Sequence, residues 1–200
     1  MDIYIIEFNK DNNKDFKNIP KKYSRVILKF LLNKIYNNDD EILENNGKPY
    51  VKSDLYFSIS HSNNILVIAF DKAEIGIDIE YLKPRNYKKI LNYMGAKCEN
   101  EISQEEFYKI WTIYEAEYKS NMKQNIMSFK YQNYICSVSS LNKNKPVIYE
   151  VKIPQNKISE IELMNLKLVK DNAKNENSVV AQEINIASSD FLPLPTLKIE

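Results

Sequence analysis

LYFSISHSNNILVIAFDKAEIGIDIE, residues 55–80, decides how this chain folds. Leu55, Phe57 and Ile59 alternate with Tyr56, Ser58 and Ser60. That period of two is the mark of a strand with one face toward a core. Ser62-Asn63-Asn64 has turn chemistry, and residues 65–70 are an apolar run of buried-strand length. Asp71-Lys72 turns the chain again, and Ile75, Ile77 and Ile79 then alternate with Gly76, Asp78 and Glu80. Three short strands joined by tight turns predict an antiparallel meander.

Upstream, residues 1–8 read as a short strand and residues 9–20 as a polar loop. Residues 22–36 read as a helix, because Val26, Ile27, Phe30, Leu31, Leu32 and Ile35 recur at helical spacing. The turn-forming residues 37–40 end it. Downstream, Ser103-Gln104-Glu105-Glu106 is a capping box, with serine as N-cap and glutamate at the third helical position. Phe107, Ile110, Trp111, Tyr114 and Tyr118 continue as the apolar stripe of a second helix ending near Lys119. Residues 134–138, 146–153, 161–169 and 179–186 are then expected strands, with 170–178 a polar hairpin tip. A helix followed by strands occurs twice, so an α+β fold of two similar halves is expected.

The bulk properties exclude several function classes. Two hundred residues suffice for one domain or two small subdomains. A net charge of +1 argues against a nucleic-acid binder, which would carry a strongly basic face. The two cysteines, Cys98 and Cys136, build neither a zinc site nor a disulfide framework and read as free thiols. Three glycines, Gly47, Gly76 and Gly95, are too few for a glycine-rich phosphate loop. MDIYIIEFNK lacks the basic and apolar regions of a secretory signal, and residues 65–70 are too short to span a bilayer. A soluble, cytoplasmic protein without membrane or nucleic-acid partners is expected.

Asp78 and Glu80 lie two apart on a strand, so they share a face opposite the isoleucines. They can be a solvated strand face, or a pair whose repulsion a cation relieves; oxygen-only ligands suit Mg2+. Trp111, Glu115 and Lys119 fall at i, i+4 and i+8 on one helix stripe. Glu115 and Lys119 can be a simple exposed ion pair, unless the helix packs so that Glu115 meets the strand carboxylates. His61, the sole histidine, ends a strand beside Ser60; it reads as a surface residue or as a phosphate contact. Gly47-Lys48-Pro49 reads as an exposed turn carrying one cation.

Taken in order, GKPY at 47–50, FSISHS at 57–62, VIAF at 67–70, IGIDIE at 75–80 and WTIYEAEYK at 111–119 form a set. This set resembles the Sfp-type 4'-phosphopantetheinyl transferase family, whose pattern is GKP, a strand ending S-H-S, G-[IV]-D-[IV]-E, and a helix with W-x-x-x-E-[AS]-x-x-K. The resemblance runs from Gly47 to Lys119. It implies two α+β halves related by a pseudo-twofold, each a small antiparallel sheet packed on a long helix. The halves would be residues 1–86 and 87–200, acting as one unit and as a monomer, with coenzyme A in the cleft between them.

The resemblance also implies a reaction: the phosphopantetheine arm of coenzyme A moves to a serine of an apo acyl- or peptidyl-carrier protein, releasing 3',5'-ADP. Asp78, Glu80 and Glu115 would then be Mg2+ ligands. Glu115 would be the general base, and Lys119 would bind the pyrophosphate. Lys48 and Pro49 would lie near the adenine and phosphates, and Ser60 and His61 would contact phosphate. Arg25 on the first helix would hold the 3'-phosphate, with Lys21 and Lys22 as helpers.

Two features depart from the family pattern. Tyr114 stands where a lysine is usual before the helix glutamate, and SNMKQNIMSF after Lys119 contains no glycine. They leave open a weakly active homologue that acts as a module binding coenzyme A or a carrier protein. A structural protein whose carboxylates are surface charges is the third reading.

Overall fold

The isoleucine-rich N-terminus forms a strand, β1 (Asp2–Glu7), that is buried on both faces, with Ile3, Tyr4, Ile5 and Ile6 fully shielded. This is seen in a computed structural model, which describes residues 1–8, 19–95, 102–121, 125–152, 167–170, 178–186 and 191–192. After β1 come α1 (Ile19–Tyr36), β2 (Leu43–Asn45), β3 (Lys48–Tyr50), β4 (Tyr56–Ser62), β5 (Ile65–Asp71) and β6 (Ile75–Tyr81). Then follow α2 (Tyr87–Tyr93), α3 (Gln104–Ser120), β7 (Asn125–Tyr131), β8 (Tyr134–Ser140) and β9 (Val147–Lys152). The described strands end with β10 (Lys167–Lys170), β11 (Ser178–Ile184) and β12 (Phe191–Leu192).

The fold is α+β, with mostly antiparallel sheets. A six-stranded sheet runs β10-β11-β9-β1-β5-β4 and a four-stranded sheet runs β12-β7-β8-β6. The parallel pairs are β1 with β9 and β10 with β11. Alternation along β1 and β5 sorts side chains between two cores. Tyr4, Ile6, Leu66, Ile68 and Phe70 pack with Ile27, Leu28 and Leu31 of α1. Ile3, Ile5, Ile65, Val67 and Ala69 pack instead on Ile75, Ile77, Ile79, Cys136 and Val138 of the other sheet. On the far face of that sheet, Ile135 meets Phe107, Tyr108 and Ile110 of α3. The layers are therefore α1, six-stranded sheet, four-stranded sheet and α3. Among the described residues, no helix is long and apolar enough to cross a membrane.

The expected three-strand meander is corrected. β4 and β5 pair antiparallel, but β6 leaves them and pairs with β8 in the second sheet. β4 and β6 are edge strands of different sheets, and serine hydroxyls join them. Ser58, Ser60 and Ser62 accept the backbone N–H groups of Ile77, Ile79 and Tyr81 at 3.1, 3.4 and 3.0 Å. The edge donors of β6 are thus satisfied by side chains rather than by a neighbouring backbone.

Other boundaries move for local reasons. α1 starts earlier than residue 22, since Pro20 tolerates the first helical turn, where no N–H is needed. Gly47-Lys48-Pro49 begins at a turn, as read, yet the turn joins β2 to β3. Asn46 and Gly47 have φ of 49° and 80°, the left-handed pair that a two-residue hairpin requires. β7 occupies part of the stretch read as a glycine-free loop. Cys98, residues 161–166 of an expected strand, and residues 171–177 of the expected hairpin tip lie outside the described residues.

Candidate active site

Helix α3 is docked on β6 and β8 by small groups. Thr112 Oγ1 lies 2.7 Å from Ser137 Oγ, which lies 2.8 Å from Ser128 Oγ, and Ser120 Oγ lies 3.0 Å from Ser139 Oγ. Gly76 permits the closest approach. A Cβ there would fall on the Ala116 carbonyl oxygen and 2.7 Å from the Ser120 backbone nitrogen. The capping box starts the helix as read: Ser103 Oγ accepts the Glu106 N–H at 3.2 Å, and Glu106 Oε2 accepts the Ser103 N–H at 2.9 Å. The C-cap is Asn121 in the left-handed conformation.

This docking brings Lys119 onto Asp78. Lys119 Nζ donates to Asp78 Oδ1 at 2.7 Å and to the Ile77 carbonyl at 3.1 Å. Ser60 Oγ donates to the same Oδ1 at 2.7 Å. Asp78 is only 5% exposed, and its Oδ2 is buried without a hydrogen-bond partner. Glu80, one pleat along, accepts from Ser62 Oγ at 3.0 Å, with Arg85 Nη2 at 3.8 Å.

The carboxylates bear on one another. Burial, then the Asp78 charge, raises the pKa of Glu80, against the lowering influence of Ser62, Arg85 and Lys83. Burial, then the same Asp78 charge, raises that of Glu115, while Lys119 opposes. Asp78 is thus the electrostatic centre that both glutamates feel. Among the described residues, no three His, Cys, Asp or Glu side chains form a ready-made metal cluster. The donor set still fits a hard cation: it is all oxygen, it carries excess negative charge, and Asp78 Oδ2 has no partner.

The remaining candidate residues divide into groups. Partial burial, then the charges of Lys119 and Lys21, lowers the pKa of His61, so both lysines stand near this imidazole. A cleft of about 1210 Å³ opens between the β2–β3 hairpin, the start of β4 and the end of α3. Lys48, Pro49, Tyr50, Tyr56, Tyr114 and Lys119 are among its walls. Lys48 Nζ also donates to Glu74 at 3.2 Å. Ser60, His61, Asp78, Glu80 and Glu115 do not line this cleft; Lys119 does, and it bonds Asp78. On α1, Arg25 is exposed and paired with Glu44, and Lys22 stacks over the Tyr23 ring at 4.9 Å.

Gly76, Ser62 and Arg85 were not singled out from the sequence. Ser62 could have been, since it alternates in phase with Ser60. Gly76 carried a signal too, being a glycine inside a strand, where a close backbone approach is the usual reason.

No family model matches the chain. The chain is similar to one class of curated proteins, the 4'-phosphopantetheinyl transferases. A 4'-phosphopantetheinyl transferase of Bacillus subtilis is 34% identical over 79 residues, 35% of this chain and 35% of that protein. A putative 4'-phosphopantetheinyl transferase of Haemophilus influenzae is 33% identical over 86 residues, 37% of each chain. The 4'-phosphopantetheinyl transferase AcpT of Salmonella typhi is 35% identical over 82 residues, 35% of this chain and 43% of its own. The matched stretch therefore spans well under half the length of each of these relatives.

Proposed function

We propose that the protein transfers the 4'-phosphopantetheine arm of coenzyme A to a serine of an apo acyl- or peptidyl-carrier protein. The observation that carries this reading is Asp78, a buried carboxylate with one unpartnered oxygen, held by Ser60 and Lys119 and felt by Glu80 and Glu115. The similarity to 4'-phosphopantetheinyl transferases supports it independently.

In this reading the carrier serine Oγ attacks the β-phosphorus of coenzyme A. The bond from that phosphorus to the bridging oxygen breaks, and 3',5'-ADP leaves with the electron pair. Glu115 accepts the serine proton, directly or through a water. A carboxyl with a raised pKa is better matched to that exchange near neutral pH than an ordinary glutamate. Lys119, at the seam between the cleft and the carboxylates, turns its ammonium to the pyrophosphate oxygens. Lys48 and Pro49 hold the nucleotide end from the cleft wall, Lys21 supplies positive charge for a phosphate, and His61 beside it offers a ring N–H to the same phosphate. Arg25 and Lys22 would join once coenzyme A draws them from Glu44 and Tyr23.

A magnesium ion held by Asp78, Glu80 and Glu115 would, when bound, neutralise phosphate charge and orient the reacting group. Residues 1–86 and 87–200 act as two pseudo-twofold-related stretches of one monomeric unit. Asp78 and Glu80 come from the first and Glu115 and Lys119 from the second. The buried free thiol of Cys136 suits a reducing cytoplasm.

The test is direct. Incubate the protein with coenzyme A, Mg2+ and several apo carrier proteins, and weigh each carrier by mass spectrometry. One phosphopantetheine adduct per carrier is expected, and none when EDTA is present from the start. Coenzyme A binding without any adduct would replace the transferase by a binding module.

A further inference from the structure

The three serines of β4 make the same backbone contact and differ in one respect. Each accepts an N–H from β6: Ser58 from Ile77, Ser60 from Ile79 and Ser62 from Tyr81. Ser60 and Ser62 each also donate to a carboxylate. Ser60 Oγ reaches Asp78 Oδ1 at 2.7 Å, and Ser62 Oγ reaches Glu80 Oε2 at 3.0 Å. In both cases the carboxylate precedes, by one residue, the backbone N–H that the same oxygen accepts.

A serine hydroxyl has one proton to give and lone pairs to receive with. In Ser60 and Ser62 the proton is committed to the carboxylate and the lone pair to the strand carrying it. The two bonds together fix the carboxylate relative to its own backbone. A hydroxyl so committed has no second proton for a phosphate oxygen. Ser60 is also 8% exposed, so it is shut away from most of the solvent.

We propose that Ser60 and Ser62 are positioning residues that aim Asp78 and Glu80 toward a shared divalent cation, whereas Ser58 only joins the strands. The proposal rests on the metal-dependent reading above. Groups that orient metal-binding carboxylates from behind commonly change affinity by about 10–100-fold when removed.

The experiment compares Ser58→Ala, Ser60→Ala and Ser62→Ala, using Mn2+ in the presence of coenzyme A and following free Mn2+ by electron paramagnetic resonance. Thermal unfolding of the metal-free proteins is measured alongside. All three alanines should lower the melting temperature, since each frees one N–H of β6. Only Ser60→Ala and Ser62→Ala should weaken Mn2+ binding, by about tenfold or more. Ser60→Thr and Ser62→Thr, which keep the hydroxyl, should restore it. If either alanine variant does not fold, Ser60→Cys or Ser62→Cys, of similar size but weaker donor strength, is judged by the same criterion. Affinities at 60 and 62 that match Ser58→Ala would overturn the positioning role and leave the metal reading standing. A wild-type protein that binds no Mn2+ would overturn the metal reading, and the positioning role with it.

Discussion

Lys119 Nζ lies 2.7 Å from Asp78 Oδ1, so the last turn of α3 places a cation on the buried carboxylate of β6. The two residues are 41 apart in the chain and come from a helix and a strand that share no hydrogen-bonded ladder. In the metal-free protein this ammonium is the main counter-charge of Asp78.

Removing that counter-charge has two expected consequences. Lys119→Ala leaves Asp78 buried with only Ser60 as a donor, and should lower stability by about 1–3 kcal/mol. Added Mg2+ should then raise the melting temperature of the variant more than that of the wild type, because the cation replaces the lost ammonium. Differential scanning fluorimetry with and without Mg2+ measures both. Equal Mg2+ shifts in the two proteins would show that no cation binds at Asp78.

Gly76→Ala should be among the most damaging single substitutions. The added methyl meets backbone atoms of Ala116 and Ser120, which cannot rotate away. α3 must lift from β6, carrying Glu115 and Lys119 with it. A loss of about 3 kcal/mol or more is expected from urea unfolding, together with loss of the proposed phosphopantetheine transfer. A normal unfolding midpoint would refute the close approach.

The raised pKa values of Glu80 and Glu115 set the sign of a pH effect. A carboxyl whose pKa is higher folded than unfolded binds protons more tightly in the native state. Its contribution to stability is fully present below the unfolded pKa and is lost as pH rises through the folded one. Without metal, Glu80→Gln should therefore gain stability relative to the wild type as pH rises from the ordinary glutamate range through the raised value. Urea midpoints measured in EDTA across that window test it. A pH-independent difference between the two proteins would contradict it.

Tyr114 lines the cleft where the resembling family usually has a lysine. Tyr114→Lys adds a cation to a wall that already carries Lys48 and Lys119. The KM for coenzyme A should fall by up to about tenfold at low salt, with the gain fading above about 0.15 M ionic strength. Steady-state kinetics at two salt concentrations would show it. An unchanged KM would place the phosphates away from this wall.

Much of the fold was legible because its elements are locally determined. The capping box at Ser103–Glu106 and the apolar stripe behind it need nothing from the rest of the chain. β4 and β6 fall where period-two alternation places them, and β5 falls on the apolar run at 65–70. The turn at Gly47-Lys48-Pro49 is legible, but the hairpin it belongs to is not, because its strands are only three residues each. β7 is hard to read because Asn125 stands in the apolar phase of Met127, Phe129 and Tyr131 while Ile126 stands in the polar one, and its place between β8 and β12 decides it. α2 is seven residues long, too short for a helical period to stand out.

By itself the sequence determined that Asp78 and Glu80 share one strand face, that Glu115 and Lys119 share one helix stripe, and that Ser60 and Ser62 stand in phase. Those are facts of backbone periodicity, set within a few residues. Only the tertiary structure decided that β6 leaves the meander for a second sheet, that Gly76 admits α3, and that Lys119 lands on Asp78. The three-residue connection from Lys72 to Glu74 fixes how near β5 and β6 lie but not which sheet β6 joins. That choice is made by which unpaired edge, hydroxyl and apolar face can be satisfied together once the whole chain is packed.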